Sequence, residues 1–171
     1  GAEGKSIESE GISELKKAVE DYDMTSKTGN KALDNVVANY MMLCRNEGIP
    51  FFFFVDADSL SFLKPGDLAS MFGNLLSNAL EAERKVKEKD KAYISFKVAR
   101  KGDMVSVHFE NYWPEKVEFV KGLPSSTKKD AANHGYGSKS ICYVVGKYGG
   151  TASFSQSGEI FEVNALFPKQ N

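Results

Sequence analysis

Two stretches of this chain carry side chains at spacings that suit chemistry. In DLASMFGNLLSNALEAE (67–83), Asn74, Asn78 and Glu81 recur at i, i+4 and i+7, so on a helix they form one polar column. Two readings are open for that column. The amides hydrogen-bond to neighbouring backbone, or the Asn78 carbonyl oxygen helps to hold Mg²⁺, an ion that takes few protein ligands and fills its octahedron with water and phosphate oxygens. The second stretch is SSTKKDAANHGYGSKSICYVVGKYGG (125–150). Gly135 and Gly137 leave room for backbone to approach an anion, and the N–H groups of residues 138–140, at the expected start of a helix, would face it with the positive end of the dipole. The competing reading is a plain turn before a helix, since the spacing is neither that of a P-loop nor that of a dinucleotide-binding turn. Lys128 and Lys129 are point charges able to neutralise phosphate oxygens, and Thr127 adds a hydroxyl. His134 either bonds loop backbone or touches the phosphate.

Composition narrows the partners. Among 171 residues, 22 lysines and arginines nearly cancel 23 aspartates and glutamates, so no overall field favours nucleic acid or an anionic membrane, and any phosphate affinity must be local. Cys44 and Cys142 lie within apolar helical patterns with no ligand spacing, which reads as reduced, buried thiols. The longest apolar run, FFFFV at 51–55, is too short to span a bilayer and fits a buried strand. The polar, acidic N-terminus does not read as a signal peptide.

These candidate residues need a scaffold, and periodicity outlines one. ISELKKAVEDY (12–22) predicts a short helix, SKTGN (26–30) breaks it, and Leu33, Val36, Val37, Tyr40, Met41 and Cys44 predict a long amphipathic helix stopped at Gly48. A strand at 49–56 leads to a helix over 67–89, whose apolar arc comprises Leu68, Met71, Phe72, Leu75, Ala79 and Ala82. AYISFKVAR and MVSVHFEN alternate around KGD (101–103) and predict an antiparallel hairpin. Periodicity fails from 112 to 133, which predicts a lid or binding loop. A helix over 138–148 and a strand pair joined through Gly158 complete an α+β, two-layer sandwich with helices on one face of a mostly antiparallel sheet.

In order and spacing, GNLLSNALEA and HGYGSKSI resemble the N-box and second glycine box of the ATP-binding catalytic domain of sensor histidine kinases, in the GHKL superfamily. TGNKALDNVV followed by NEGI resembles the start of that domain in the quorum-sensing, peptide-receptor branch. The resemblance covers residues 26–168 and implies the Bergerat fold, a mixed sheet with three main helices on one face. It implies ATP and Mg²⁺ as cofactors. By position, Asn78 matches the metal-binding asparagine, and Asn74, one turn earlier, is the candidate catalytic residue. Gly135, Tyr136 and Gly137 match the phosphate-side box, followed by Ser138, and 113–134 matches the ATP lid carrying Thr127, Lys128, Lys129 and His134. Asn111 occupies the place of the aspartate that takes the adenine amino group, and no glycines follow it in YWPE.

The resemblance further implies that residues 1–25 are a tail and linker helix from a dimerisation region and 26–171 the catalytic domain of a membrane-anchored bacterial sensor, on its cytoplasmic side. Its partners would be the histidine-bearing dimerisation region and a response regulator, with no nucleic acid and no direct membrane contact. His108, in a strand, and His134, in the lid, do not fit the acceptor histidine, so the chain is not expected to phosphorylate itself. A hydrolytic GHKL ATPase would need a carboxylate where Asn74 stands. A degenerate interaction module, favoured by Asn111 and an exposed Tyr112-Trp113 pair, and a stand-alone anti-sigma-type serine kinase are the alternatives.

Overall fold

The computed structural model describes residues 28–56, 58–125 and 131–171 together with positions 11, 13 and 14; of 131–136 only the backbone is described. The expected helix over 12–22 lies almost wholly outside these residues. Helix α1 (Lys31–Asn46) starts on Asn30, whose side chain accepts from the Leu33 N–H. Just upstream, the Thr28 hydroxyl and N–H both donate to Asp34 in the first turn, at 2.8 and 2.6 Å. Gly48, at φ +69°, takes the left-handed position that ends the helix.

Strand β1 (Phe51–Val55) enters the sheet, and helix α2 (Pro65–Lys85) follows with proline in its first turn, where no N–H is needed. The expected span of 67–89 is therefore shifted. The chain leaves the helix at Val86, which is buried, so of the charge run ERKVKEKDK (83–91), expected to be a solvated helix end, only Glu83 to Lys85 are helical, and Glu83 is buried. Strands β2 (Ile94–Lys101) and β3 (Met104–Tyr112) form the predicted hairpin across Gly102-Asp103. A two-stranded ribbon, β4 (Phe119–Val120) and β5 (Leu123–Pro124), stands where unstructured lid was expected. Helix α3 (Ala131–Lys147) and strands β6 (Thr151–Ser157) and β7 (Ile160–Phe167) complete the chain.

The sheet order is β1-β2-β3-β7-β6, parallel between β1 and β2 and antiparallel elsewhere, with the three helices on one face. FFFFV is not a fully buried strand as its composition suggests. It lies at the sheet edge with its other face open, so Phe51 is 6% exposed while Phe52 and Phe54 are 42% and 57% exposed. On the covered face one cross-strand row runs Phe53, Phe96, Phe109, Val163, Phe154. Phe96 stacks on Phe109 at 4.7 Å and on Phe53 at 5.4 Å, and Phe72 of α2 meets Phe96 and Phe109 edge-on, each at 5.7 Å. This row seats α2 on the middle of the sheet. Phe96→Ala is expected to lower unfolding free energy by about 3–5 kcal/mol, read from urea denaturation.

One carboxyl group lies within this apolar layer. Glu83, in the last turn of α2 and 0% exposed, accepts from Asn111 Nδ2 through Oε1 at 3.0 Å, while its Oε2 has no hydrogen-bond partner among the described residues. Loss of hydration pushes its carboxyl from 4.5 up to about 7, against the opposing pull of the Asn111 hydrogen bond and Lys89. Because the folded chain holds this proton more tightly than the unfolded chain, the contribution of Glu83 favours folding most at low pH. It should decline by up to about 3 kcal/mol as pH rises from 4.5 through 7. Urea midpoints of wild type and Glu83→Gln between pH 5 and 8 should therefore converge on the acid side and separate on the alkaline side, with the variant the more stable there.

Candidate functional site

A cleft of about 430 Å³ opens between α2, the sheet and the segment that follows β3. That volume suits a small organic ligand. Its floor is Phe109, Val163 and Phe154 from the central row and Asn111 and Phe161 from the next. One wall is Leu75, Asn78, Ala79 and Ala82 of α2, and the far end is closed by Ser138 and Ile141 of α3. Over the outer side lie Trp113, Lys116, Val117 and Pro124.

Local folding explains each placement. Leu75 and Ala79 belong to the apolar stripe that faces the core, and Asn78 sits on the shoulder of that stripe, where it reaches the cleft. A Cβ at Gly137 would lie 3.0 Å from Asn78 Nδ2 and 3.2 Å from Oδ1, so glycine gives this amide its room between α2 and α3. Asn111 follows Phe109 by two residues on the same face of β3. The segment after β3 is pinned: Gln156 donates to the Trp113 and Glu115 carbonyls at 3.2 and 2.8 Å and accepts from the Val117 N–H at 3.0 Å. Phe119 stacks on Phe161 at 6.5 Å, tying the ribbon to β7.

The sequence candidates divide. Asn78, Asn111 and Ser138 line one cleft, and Gly137 packs against Asn78. Asn74 does not line it. Its Nδ2 donates to the Ser70 carbonyl at 2.8 Å and to Ser140 Oγ at 3.3 Å, so the amide ties α2 to α3. Thr127, Lys128 and Lys129 lie outside the described residues, as do the side chains of His134 and Tyr136. The helix expected to begin at 138 begins at Ala131, which places Gly135 and Gly137 inside it. The N–H groups of 138–140 are therefore beyond the first turn, and the helix's own orphan donors belong to residues 131–133. Tyr112 is buried rather than exposed, its hydroxyl donating to Glu88 at 2.8 Å, and Trp113 faces the cleft.

Sequence reasoning missed Glu83 and the floor of Phe109, Phe161 and Val163, and took Trp113 for one of an exposed pair rather than a cleft residue. Glu83 had a readable signal: it continues the apolar stripe one turn past Ala79, where a charge is out of place. The floor had none, because strand alternation identifies an inner face without saying which inward residues remain uncovered. Among the described residues no helix is long and apolar enough to cross a membrane.

Comparison with known proteins agrees with this layout. No curated protein matches the chain. The nucleotide-free catalytic domain of histidine kinase ThkA superposes with a TM-score of 0.64 at 18% identity, over 84% of this chain and 96% of that one. The histidine kinase domain of the blue-light activated kinase EL346 of Erythrobacter litoralis gives 0.53 at 16% identity, over 86% and 67%. The histidine kinase AdeS of Acinetobacter baumannii gives 0.52 at 12%, over 81% and 66%. At these identities the likeness is one of fold. The GHKL domain family matches residues 63–168, from the loop before α2 to the end of β7 and more than half of the sequence, and the chain belongs to that family.

Proposed function

We propose that this chain is the ATP-binding catalytic domain of a sensor histidine kinase, presenting the γ-phosphate of Mg-ATP to a histidine on a dimerisation region outside it. The observation that carries the reading is the convergence of Asn78 and Asn111, 33 residues apart, on two sides of one cleft with an aromatic and aliphatic floor between them. The base would lie against Phe109 and Phe161, with Asn111 accepting from its exocyclic amine. Trp113 and Val117 exclude water from that end. The phosphates would run toward α3, where the helix N-terminus, Lys128, Lys129 and Thr127 supply donors and charge, with His134, Tyr136 and Ser138 beside them. Gly135 and Gly137 each weaken a helix interior by about 1 kcal/mol, so the first two turns of α3 can adjust to a phosphate at little expense.

The residues present fit a magnesium ion. Asn78 offers a neutral oxygen at the mouth of the phosphate end, in space that any side chain at 137 would fill. Bound there, Mg²⁺ would supply charge neutralisation for the phosphate oxygens. The chain's own contribution is positioning: its cleft orients the nucleotide, and the nucleophile arrives from outside. A hydrolytic role is disfavoured, since Asn74 is an amide bonded to Ser70 and Ser140 and offers no base one turn before Asn78. We extend the proposal to the quorum-sensing, peptide-receptor branch, on the strength of the TGNKALDNVV and NEGI stretches. It follows that residues 1–25 link to the dimerisation region, that the intact protein is a membrane-anchored sensor, and that a response regulator takes the phosphoryl group.

Trp113 is the chain's one tryptophan and lines the cleft, so its emission should change on titration with Mg-ATP. Asn78→Ala should weaken Mg-ATP about tenfold or more while leaving magnesium-free ATP nearly unaffected, as expected for loss of one metal contact worth about 1.4 kcal/mol. The chain alone should incorporate no labelled phosphate from ATP. Failure to bind millimolar Mg-ATP would overturn the function, and full magnesium-dependent affinity in Asn78→Ala would overturn the metal assignment.

A further inference from the structure

We propose that Glu83 is the specificity-determining positioning residue of this cleft: by holding Asn111 Nδ2, it fixes that amide so that Oδ1 is the atom offered to a bound base, and thereby selects 6-amino over 6-oxo purine nucleotides. The inference rests on the nucleotide-binding reading above.

An asparagine amide has a donor end and an acceptor end of the same shape, so it recognises a base only if something fixes which end points where. At position 111 two acceptors do this. Nδ2 lies 3.0 Å from Glu83 Oε1 and 3.2 Å from the Tyr112 carbonyl oxygen, which uses both of its hydrogens. With Glu83 ionised, turning the amide over would set Oδ1 against those same two oxygens with no hydrogen between them. Asn111 is 5% exposed and lines the cleft, so Oδ1 is the polar atom it can turn to a ligand there.

The chemistry of the base makes that orientation decisive. A 6-amino purine presents an N–H donor at its exocyclic position, which Oδ1 accepts. A 6-oxo purine presents oxygen there and would meet Oδ1 acceptor to acceptor, while a reversed amide would suit it. Of the two groups holding Nδ2, Glu83 gives the shorter bond, and in its ionised form a charge-assisted one. Its burial in the apolar layer beneath the cleft is otherwise unfavourable. Without Glu83, the Tyr112 carbonyl alone opposes reversal, and both orientations of the amide become accessible.

Inosine triphosphate is the suitable probe, because it carries the 6-oxo group without the 2-amino group of guanine. Binding of Mg-ATP and Mg-ITP, followed by Trp113 emission, is compared in wild type, Glu83→Leu and Glu83→Leu/Asn111→Asp. Wild type should favour ATP by about tenfold or more. Glu83→Leu should bring the two affinities within about threefold, through weaker ATP and stronger ITP binding. The double variant should regain the preference for ATP, because a carboxylate has only acceptors and needs no partner to orient it. A folded Glu83→Leu with the wild-type ratio, a double variant that stays indiscriminate, or a wild type with no preference would each overturn this inference and leave nucleotide binding standing. A wild type that binds neither nucleotide would overturn the nucleotide reading and this inference with it. Should Glu83→Leu fail to fold, the wild-type ATP complex decides by nuclear magnetic resonance: a coupling across a hydrogen bond from Asn111 Nδ2 to the adenine ring would overturn the proposal, and its absence, with the Nδ2 protons still protected from exchange, would support it.

Discussion

The stacked row of Phe53, Phe96 and Phe109, capped by Phe72, is the contact on which the rest of the molecule depends. Aromatic rings at cross-strand positions cannot slide past one another without opening voids, so the row sets the register of three strands and the height of α2 above them. Asn78 lies six residues along α2 from Phe72, about 9 Å by helical rise, and Asn111 lies two residues along β3 from Phe109, about 7 Å by strand rise. Both distances are measured from the same aromatic contact. A shift of α2 by one turn, or of β3 by one residue, would take one amide out of the cleft and leave the other.

The cleft exists because the sheet is covered unevenly. Over the first part of its inner face α2 packs closely, and Phe72, Met71 and Leu76 fill the space to the strands. Toward β7 and β6 the covering passes to small side chains, Ala79 and Ala82, and to the segment after β3 that Gln156 pins down. Apart from Asn111 the floor there is apolar, and the two asparagines of the cleft stand toward its two ends. Asn111 at one end sits over the buried Glu83, and Asn78 at the other faces Gly137 on α3. That separation suits a ligand with an apolar planar part and an anionic part.

Much of this was legible along the chain, for reasons particular to each element. Alternation in ISFKVARK and MVSVHFENY fixed the hairpin, since a two-residue turn with glycine at positive φ allows one register. The 3.6-residue period fixed α1 and α2, and the shoulder position of Asn78 followed from it. Less legible was FFFFV, whose four phenylalanines suggest burial on both faces although an edge strand under a one-sided helical layer buries only alternate residues. The ribbon at 119–124 also escaped, because strands of two residues are too short for a period to register. The early start of α3 escaped as well, since glycine and asparagine in ANHGYG argue locally against helix.

By itself the sequence determined the element types, the one-sided amphipathicity of the helices and the candidacy of Asn78, because these depend on residues within a turn or two of each other. Only the tertiary structure decided that Asn78 and Asn111 share a cleft, that Asn74 binds α3 instead, and that Glu83 rather than solvent orients the amide at 111. Those outcomes depend on contacts across 28 to 66 residues, whose geometry is set by aromatic packing between layers. No local pattern in the chain encodes which way a side-chain amide faces once another element has closed over it.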